Sequence, residues 1–274
     1  MPKQVRTDTT QNNKHERNTI MKNAIFTPED FVLNLDLSKC LFTKGGNIKL
    51  GNMWVFSKLY GKHIFYVREY DIEIQGTCCG CCDGCEPYCY VQKSYRYGSV
   101  IKGHAVRTVA MRSRINELFD RLDKQITRAR KKPDFIRIDQ SGEIETREEL
   151  INWIELARKH PEVGAFYLYT KRYKILEEVL NEYGNENIPK NVTTLISIWH
   201  KEGIAAFKKL QHFDCVKAFV YMDGFDYEAE GIHVRTMCKA YDKNGKLNHD
   251  ITCDKCRKCF DRLDSHKIIG CDAH

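Results

Sequence analysis

The chain lacks an apolar run long enough to cross a membrane and has no apolar signal core near its start, so it reads as soluble and cytoplasmic. It shows no solenoid-type repeat and no low-complexity linker after its first residues. The 274 residues therefore suit one large or two small domains. No Ser/His/Asp set and no paired carboxylates stand out, so activated-serine and two-carboxylate hydrolysis have no support. The net charge of +7 is small for this length; it permits nucleic-acid contact without requiring it. Residues 1–23 are polar and basic and read as a disordered arm.

What the chain has is cysteine. Of 13 cysteines, six fall within twelve residues, namely Cys78, Cys79, Cys81, Cys82, Cys85 and Cys89. A second set, Cys253, Cys256 and Cys259, lies near the C-terminus, with Cys238 or Cys271 as its candidate fourth member. Hydrophobic residues make up 42% of the chain, enough for a core without disulfide staples. In a reducing compartment such density argues for metal or redox chemistry. Zinc prefers four ligands as separated pairs, whereas iron–sulfur cubanes take cysteines at short gaps. The first loop, TCCGCCDGCEPYCYV, contains Cys78-x3-Cys82-x2-Cys85, the spacing of the radical S-adenosylmethionine signature, beside an equally good pair, Cys85 and Cys89. The second, TCDKCRKCF, is a ferredoxin-type run. We read both as iron–sulfur sites, with zinc and metal-free redox thiols as the alternatives. Cys40 and Cys215 sit in apolar contexts and read as buried small hydrophobes.

Around these sites the pattern predicts α/β structure. Met53–Tyr60 and Ile64–Tyr70 read as strands, and His104–Arg130 as one long helix that stops before Pro133. Strands and helices then alternate. Strands are expected at Phe135–Ile138, Ala165–Tyr169, Val192–Trp199 and Cys215–Met222. Helices are expected after the Thr146/Glu149 capping box, ending at His160, and at Tyr173–Tyr183 and Lys201–Gln211. Such alternation implies a parallel sheet with ligands at its C-terminal strand ends. The expected fold is a partial (βα) barrel over residues 24–230 with a cysteine-rich C-terminal extension over 231–274. The 78–89 loop, the 139–143 turn, Thr170–Arg172, His200 and Asp223-Gly224 should share one face.

Ser141-Gly142-Glu143 reads equally as a cofactor-binding turn, with Glu143 accepting an ammonium group, or as the plain turn before the Thr146 cap. Lys44–Asn47 reads as a hairpin turn rather than a phosphate cradle. Arg107, Arg112 and Arg114 read as a solvated face, with anion binding as the alternative.

Several segments together resemble the phage gene product 88 family: LDLSKCLFTKGGNIKLG, then TC…C…CYV, then FIRIDQSGEI with FYLYTK after a helix, and C-x14-CDKCRKCF at 238–260. That family is in turn similar to radical S-adenosylmethionine proteins. The resemblance implies a cysteine loop after the first strand, a Gly-Gly-Glu-like turn after the second and a C-terminal auxiliary cluster. It maps metal ligation onto Cys78, onto Cys82 or Cys85, onto Cys89, and onto Cys238, Cys253, Cys256 and Cys259, and cofactor binding onto Ser141, Gly142 and Glu143, where Ser141 departs from the family's glycine. It also implies an electron donor and a substrate, small or macromolecular, that it does not identify. Two other readings stay open: an iron–sulfur protein that cleaves no S-adenosylmethionine, and a zinc-stabilised nucleic-acid-binding module using the basic arm and Arg107–Arg114.

Overall fold

The computed structural model describes residues 28–44, 53–61, 63–78, 85–87, 89–199, 201–222, 224–240, 248, 250–262 and 264–272. The basic arm, and Cys79, Cys81 and Cys82, lie outside the described residues, as do His200 and Asp223. A short helix, α1 (Pro28–Leu33), leads into strand β1 (Thr43–Lys44), which pairs antiparallel with β2 (Trp54–Val55). The turn expected at Lys44–Asn47 falls on residues 45–47, which lie outside the described residues.

The expected strand Met53–Tyr60 is regular only at β2. Beyond it the chain keeps company with its neighbour through Phe56 N to Arg137 O (2.9 Å), Gln140 N to Phe56 O (3.0 Å) and Lys58 N to Ser141 O (2.8 Å). The regular ladder stops because the neighbour turns at Asp139, in the left-handed region at φ 47. The second expected strand ends at Val67 and joins a separate hairpin, β3 (Ile64–Val67) against β4 (Ile72–Gln75). The amides of Gly76 and Thr77 then bond back to His63 O (2.8 Å) and Leu59 O (2.9 Å). The hairpin is thus an insertion, and Cys78 starts beside the end of the β2 segment.

The expected helix His104–Arg130 is two helices. After the one-turn α2 (Val91–Ser94) come α3 (Gly98–Ser113) and α4 (Ile115–Arg128), separated by Arg114 at φ −140, ψ 45. The Arg114 guanidinium holds Glu117 and the carbonyls of Val32 (3.4 Å) and Leu35 (3.3 Å), which fixes the break. From there the pattern reads true to within a residue or two: β5 (Phe135–Ile138), α5 (Arg147–Lys159), β6 (Ala165–Thr170), α6 (Tyr173–Tyr183), β7 (Val192–Ile198), α7 (Lys201–Leu210) and β8 (Val216–Met222). Thr146 caps α5 by accepting the Glu149 amide at 3.1 Å. His160 ends that helix and bonds Asp123 of α4 at 2.8 Å. The C-terminal segment adds a one-turn helix, α8 (Cys253–Cys256), and a strand the sequence reading missed, β9 (Ile268–Asp272).

The sheet has seven strands in the order β1-β2-β5-β6-β7-β8-β9, parallel everywhere except β1 against β2. Its parallel strands stand in chain order, with no reversal. Right-handed crossovers then put the helices that connect β2 through to β8 on the same face. That face is the main core, where Leu118, Leu122, Trp153, Leu176 and Phe207 pack with the outward residues of the strands. The opposite face carries Met53, Val55, Phe135, Tyr167, Leu195 and Ile269, and the C-terminal segment covers it with Phe260. The Phe260 ring lies 4.5 Å from Phe135 and 4.7 Å from Tyr167. The fold is α/β with a mostly parallel seven-stranded sheet, and among the described residues its two end strands do not pair with each other.

Candidate functional site

The 78–89 loop is tied at both ends to the 139–143 turn. At its start, Thr77 Oγ1 donates to Leu59 O (3.1 Å) and accepts the Glu143 amide (2.8 Å). At its end, the Tyr90 hydroxyl donates to Gln140 O (2.5 Å). Gly142 makes this contact possible. It has φ 90, and a Cβ there would meet Thr77 Oγ1 at 2.6 Å and Lys58 Cβ at 2.8 Å. Ser141 Oγ donates to Lys58 O at 2.8 Å. The Ser141–Glu143 turn is therefore an anchor for the cysteine loop as well as the lead into the α5 cap.

Donors point at the described sulfurs of this loop. The Gly61 amide reaches Cys78, the Val91 and Gln92 amides reach Cys89, and the Lys171 ammonium reaches Cys85. Burial nevertheless dominates: it pushes Cys78 up to about 12 and raises Cys89. Burial pulls the other way on Lys171, but Cys85 and Glu143 outweigh it and hold the ammonium charged. Glu143 is already engaged, since Thr170 Oγ1 (2.7 Å), the Ile144 amide (3.1 Å) and the Lys171 amide (2.9 Å) all donate to its carboxylate. Behind it Lys58, wholly buried, pairs with Asp139 at 3.3 Å and with Glu149, and donates to Glu143 O at 2.7 Å.

A second buried group borders the loop. Tyr95 OH accepts the Tyr60 amide (3.1 Å) and lies 3.1 Å from His104 Nδ1. Burial, helped by Arg107, depresses His104 from 6.5 to about 3. The folded chain thus keeps this imidazole neutral where the unfolded chain protonates it. Stability should fall as pH drops below about 6.5, by about 2 kcal/mol at pH 5, and the loss should continue towards the folded value. Denaturant titrations between pH 7 and 5 should show this acid slope flattened in His104→Gln.

The C-terminal set gathers at one pocket, partly open to solvent, lined by Cys238, Cys253, Cys256, Cys259, Tyr167 and Tyr169. Cys238, not Cys271, joins the other three there; Cys271 lies buried on β9. Arg257 is left-handed (φ 60) at the end of α8 and turns the chain so that Cys259 follows the Cys253–Cys256 turn. Burial pushes Cys259 up to about 12, while the Tyr169 hydroxyl is hydrogen-bonded to its sulfur. Gly270 lets the 234–238 segment run against β9, because a Cβ there would meet Val234 and Met237 at 2.6 Å. The chain beyond Cys256 is pinned to the sheet by Lys217, whose ammonium donates to Lys258 O (2.9 Å), Asp261 O (2.6 Å) and Asp264 O (3.4 Å), and by Thr193 Oγ1 donating to Phe260 O (3.0 Å).

The donor chemistry at both places suits a soft metal: several sulfurs, with N–H, O–H and ammonium donors aimed at them. Among the described residues, however, no three His, Cys, Asp or Glu side chains are already drawn together into a cage that would hold an ion. Cys40 and Cys215 are fully buried, as expected of small hydrophobes. The arginine expectation is corrected. Arg107 is buried and donates to Ser57 O (2.7 Å), Arg112 holds Glu145 and Gln75 O, and Arg114 fixes the helix break. Arg112 is exposed but paired, and Arg107 is buried, so the three do not form one solvated face. Lys58, Arg137, Tyr169 and Lys217 were missed in the sequence; for the three cations the one available signal was a lone charge inside an apolar strand pattern, and Tyr169 gave none. No described helix is long and apolar enough to cross a membrane.

No curated protein and no solved structure matches the chain. The gene product 88 family model matches residues 40–262, a span that takes in the first cysteine loop, the sheet through β8 and the second cysteine run. The chain belongs to the gene product 88 family.

Proposed function

We propose that this chain is an iron–sulfur protein with two cysteine-held centres at the mouth of a partial (βα) barrel, and that it acts as a radical S-adenosylmethionine-like enzyme. The observation that carries this reading is the singly wound parallel sheet, with the 78–89 loop tied to the turn after β5 and the second cysteine set on the face opposite the long connecting helices. Ligands of such sheets gather at the C-terminal strand ends. Cys78, Cys85 and Cys89, with the undescribed Cys79, Cys81 and Cys82, would hold the first centre. Cys238, Cys253, Cys256 and Cys259 would hold the second. A cluster in the first loop would supply the electron that cleaves bound S-adenosylmethionine, and the radical chemistry belongs to that cofactor. The chain's own share is to hold the reactive groups in place, with Ser141–Glu143 and Lys171 facing the first centre.

One observation favours a second reading, an iron–sulfur protein that cleaves no S-adenosylmethionine. The Glu143 carboxylate is already occupied by three donors of its own chain. Anaerobic protein with dithionite and S-adenosylmethionine decides between them: 5′-deoxyadenosine above a cysteine-variant control supports the enzyme, and its absence leaves the electron-transfer reading. Colourless oxygen-free protein holding zinc or no metal defeats both.

Two substitutions test the assignment of residues. Cys89→Ala is expected to remove the first centre and leave the second, halving the iron if the two are alike; unchanged iron contradicts this. Glu143→Ala is expected to weaken S-adenosylmethionine binding at constant iron content, and unaltered affinity in a binding titration retires that role.

A further inference from the structure

Arg137 stands on β5 between the two cysteine sets, with Tyr90 of the first loop, Tyr167, Tyr169 and Cys253 as the groups around it. Its guanidinium lies 4.7 Å from the Tyr169 ring centre. Its Nε is buried and has no hydrogen-bond partner. Among the described residues it has no carboxylate counterpart, whereas the buried Lys58 has two. Arg137 is half-buried, with its Nε shut off from water and unpaired; such a donor is costly unless negative charge is supplied nearby. The adjacent source of such charge is the cavity of Cys238, Cys253, Cys256 and Cys259, whose Cys259 sulfur touches the same Tyr169. Four thiolates on a divalent ion, or on a cubane cluster, leave a net negative centre.

We propose that Arg137, behind the lining residues Arg257 and Lys258, is a counter-cation of a metal–thiolate centre formed by Cys238, Cys253, Cys256 and Cys259, set in place by its stacking on Tyr169. Arg137 is a positioning residue: it touches no metal and acts through the charge of the thiolates. The inference rests on metal binding at the C-terminal set, but not on that metal being iron.

The test uses the full chain, reduced and metal-free, titrated with Co2+ and then Zn2+ against a chelator. The relevant equivalent is the one lost in Cys256→Ser. Arg137→Met is expected to weaken that equivalent about 10- to 100-fold, as loss of outer partners does at metal sites, with the remaining metal binding and the circular dichroism unchanged. Arg137→Lys, which keeps the charge, is expected to recover most of the affinity. Arg137→Gln replaces the Met variant if that one does not fold. Equal affinity in the charged and uncharged variants overturns the inference and leaves Arg137 to an anionic ligand instead. Absence of any Cys256-dependent equivalent overturns it together with the two-centre reading. Tight zinc and no iron–sulfur cluster defeats only the iron–sulfur reading, while the Arg137 effect on zinc stands.

Discussion

Replacing Lys58 with Met should be among the most damaging single changes in this chain, at about 3–5 kcal/mol of folding stability near neutral pH. The side chain is wholly buried and its ammonium serves Asp139, Glu149 and the Glu143 carbonyl together. Asp139 is 4% exposed and accepts no hydrogen bond, so without Lys58 it has no charge partner among the described residues. Burial already pushes the Asp139 carboxyl well above the usual range, and Lys58 is what opposes that push. In the variant this acid should take up a proton on folding. The folded state then binds more protons than the unfolded one, so the deficit relative to wild type should shrink as pH falls from 7 to 5. Comparing both proteins at each pH cancels the separate acid sensitivity of His104. A deficit under 1 kcal/mol, or one independent of pH, contradicts this account. The change also reaches the site, because Lys58 holds the turn whose amide and carbonyl groups carry both ends of the 78–89 loop.

The sequence is legible where one physical signal is strong. The strands β5 to β8 are apolar, rich in branched and aromatic residues, and separated by helices with clear inward faces; buried on both sides, they admit no other reading. It misleads where local signals are satisfied by a distant partner. Met53–Tyr60 is mostly apolar, but its ladder partner turns at Asp139, so only two residues stay regular. Ile64–Tyr70 looks like a sheet strand, yet Ile64 and Tyr66 are exposed and the segment pairs only with its own hairpin. β9 hides because Gly270 interrupts an otherwise apolar run, and that glycine answers to the 234–238 segment, which no local pattern reveals. At the site, cysteine density named both sulfur sets, and chain order placed the first of them at a strand end. The chain's internal partners were illegible, because a lysine or arginine inside a strand pattern does not say which carbonyl or sulfur it will meet.

Lys217 is the clearest of these partners and the second large effect. Its side chain is 1% exposed on β8, and its ammonium gathers the carbonyls of Lys258, Asp261 and Asp264, the stretch that follows the Cys253–Cys256 turn. Lys217→Met keeps the length and the apolar stem but leaves three carbonyls to find other donors. Hydrogen bonds from a charged donor contribute about 1.5–3 kcal/mol each. A loss of about 3 kcal/mol is therefore expected once the released segment regains water. That loss should not be spread evenly. The helix-covered core does not depend on Lys217, whereas Phe260 stays against Phe135 and Tyr167 only while its backbone is held. Amide exchange should accelerate across 252–264 far more than in β6 and β7, and Cys256 and Cys259 should become easier to alkylate. Uniform acceleration across the sheet would mean that Lys217 supports the core as a whole. No acceleration would mean that the cysteine segment is held by Thr193 and the Phe260 ring alone. Only the local loss fits a C-terminal cysteine module strapped to the open face of the sheet by one buried ammonium.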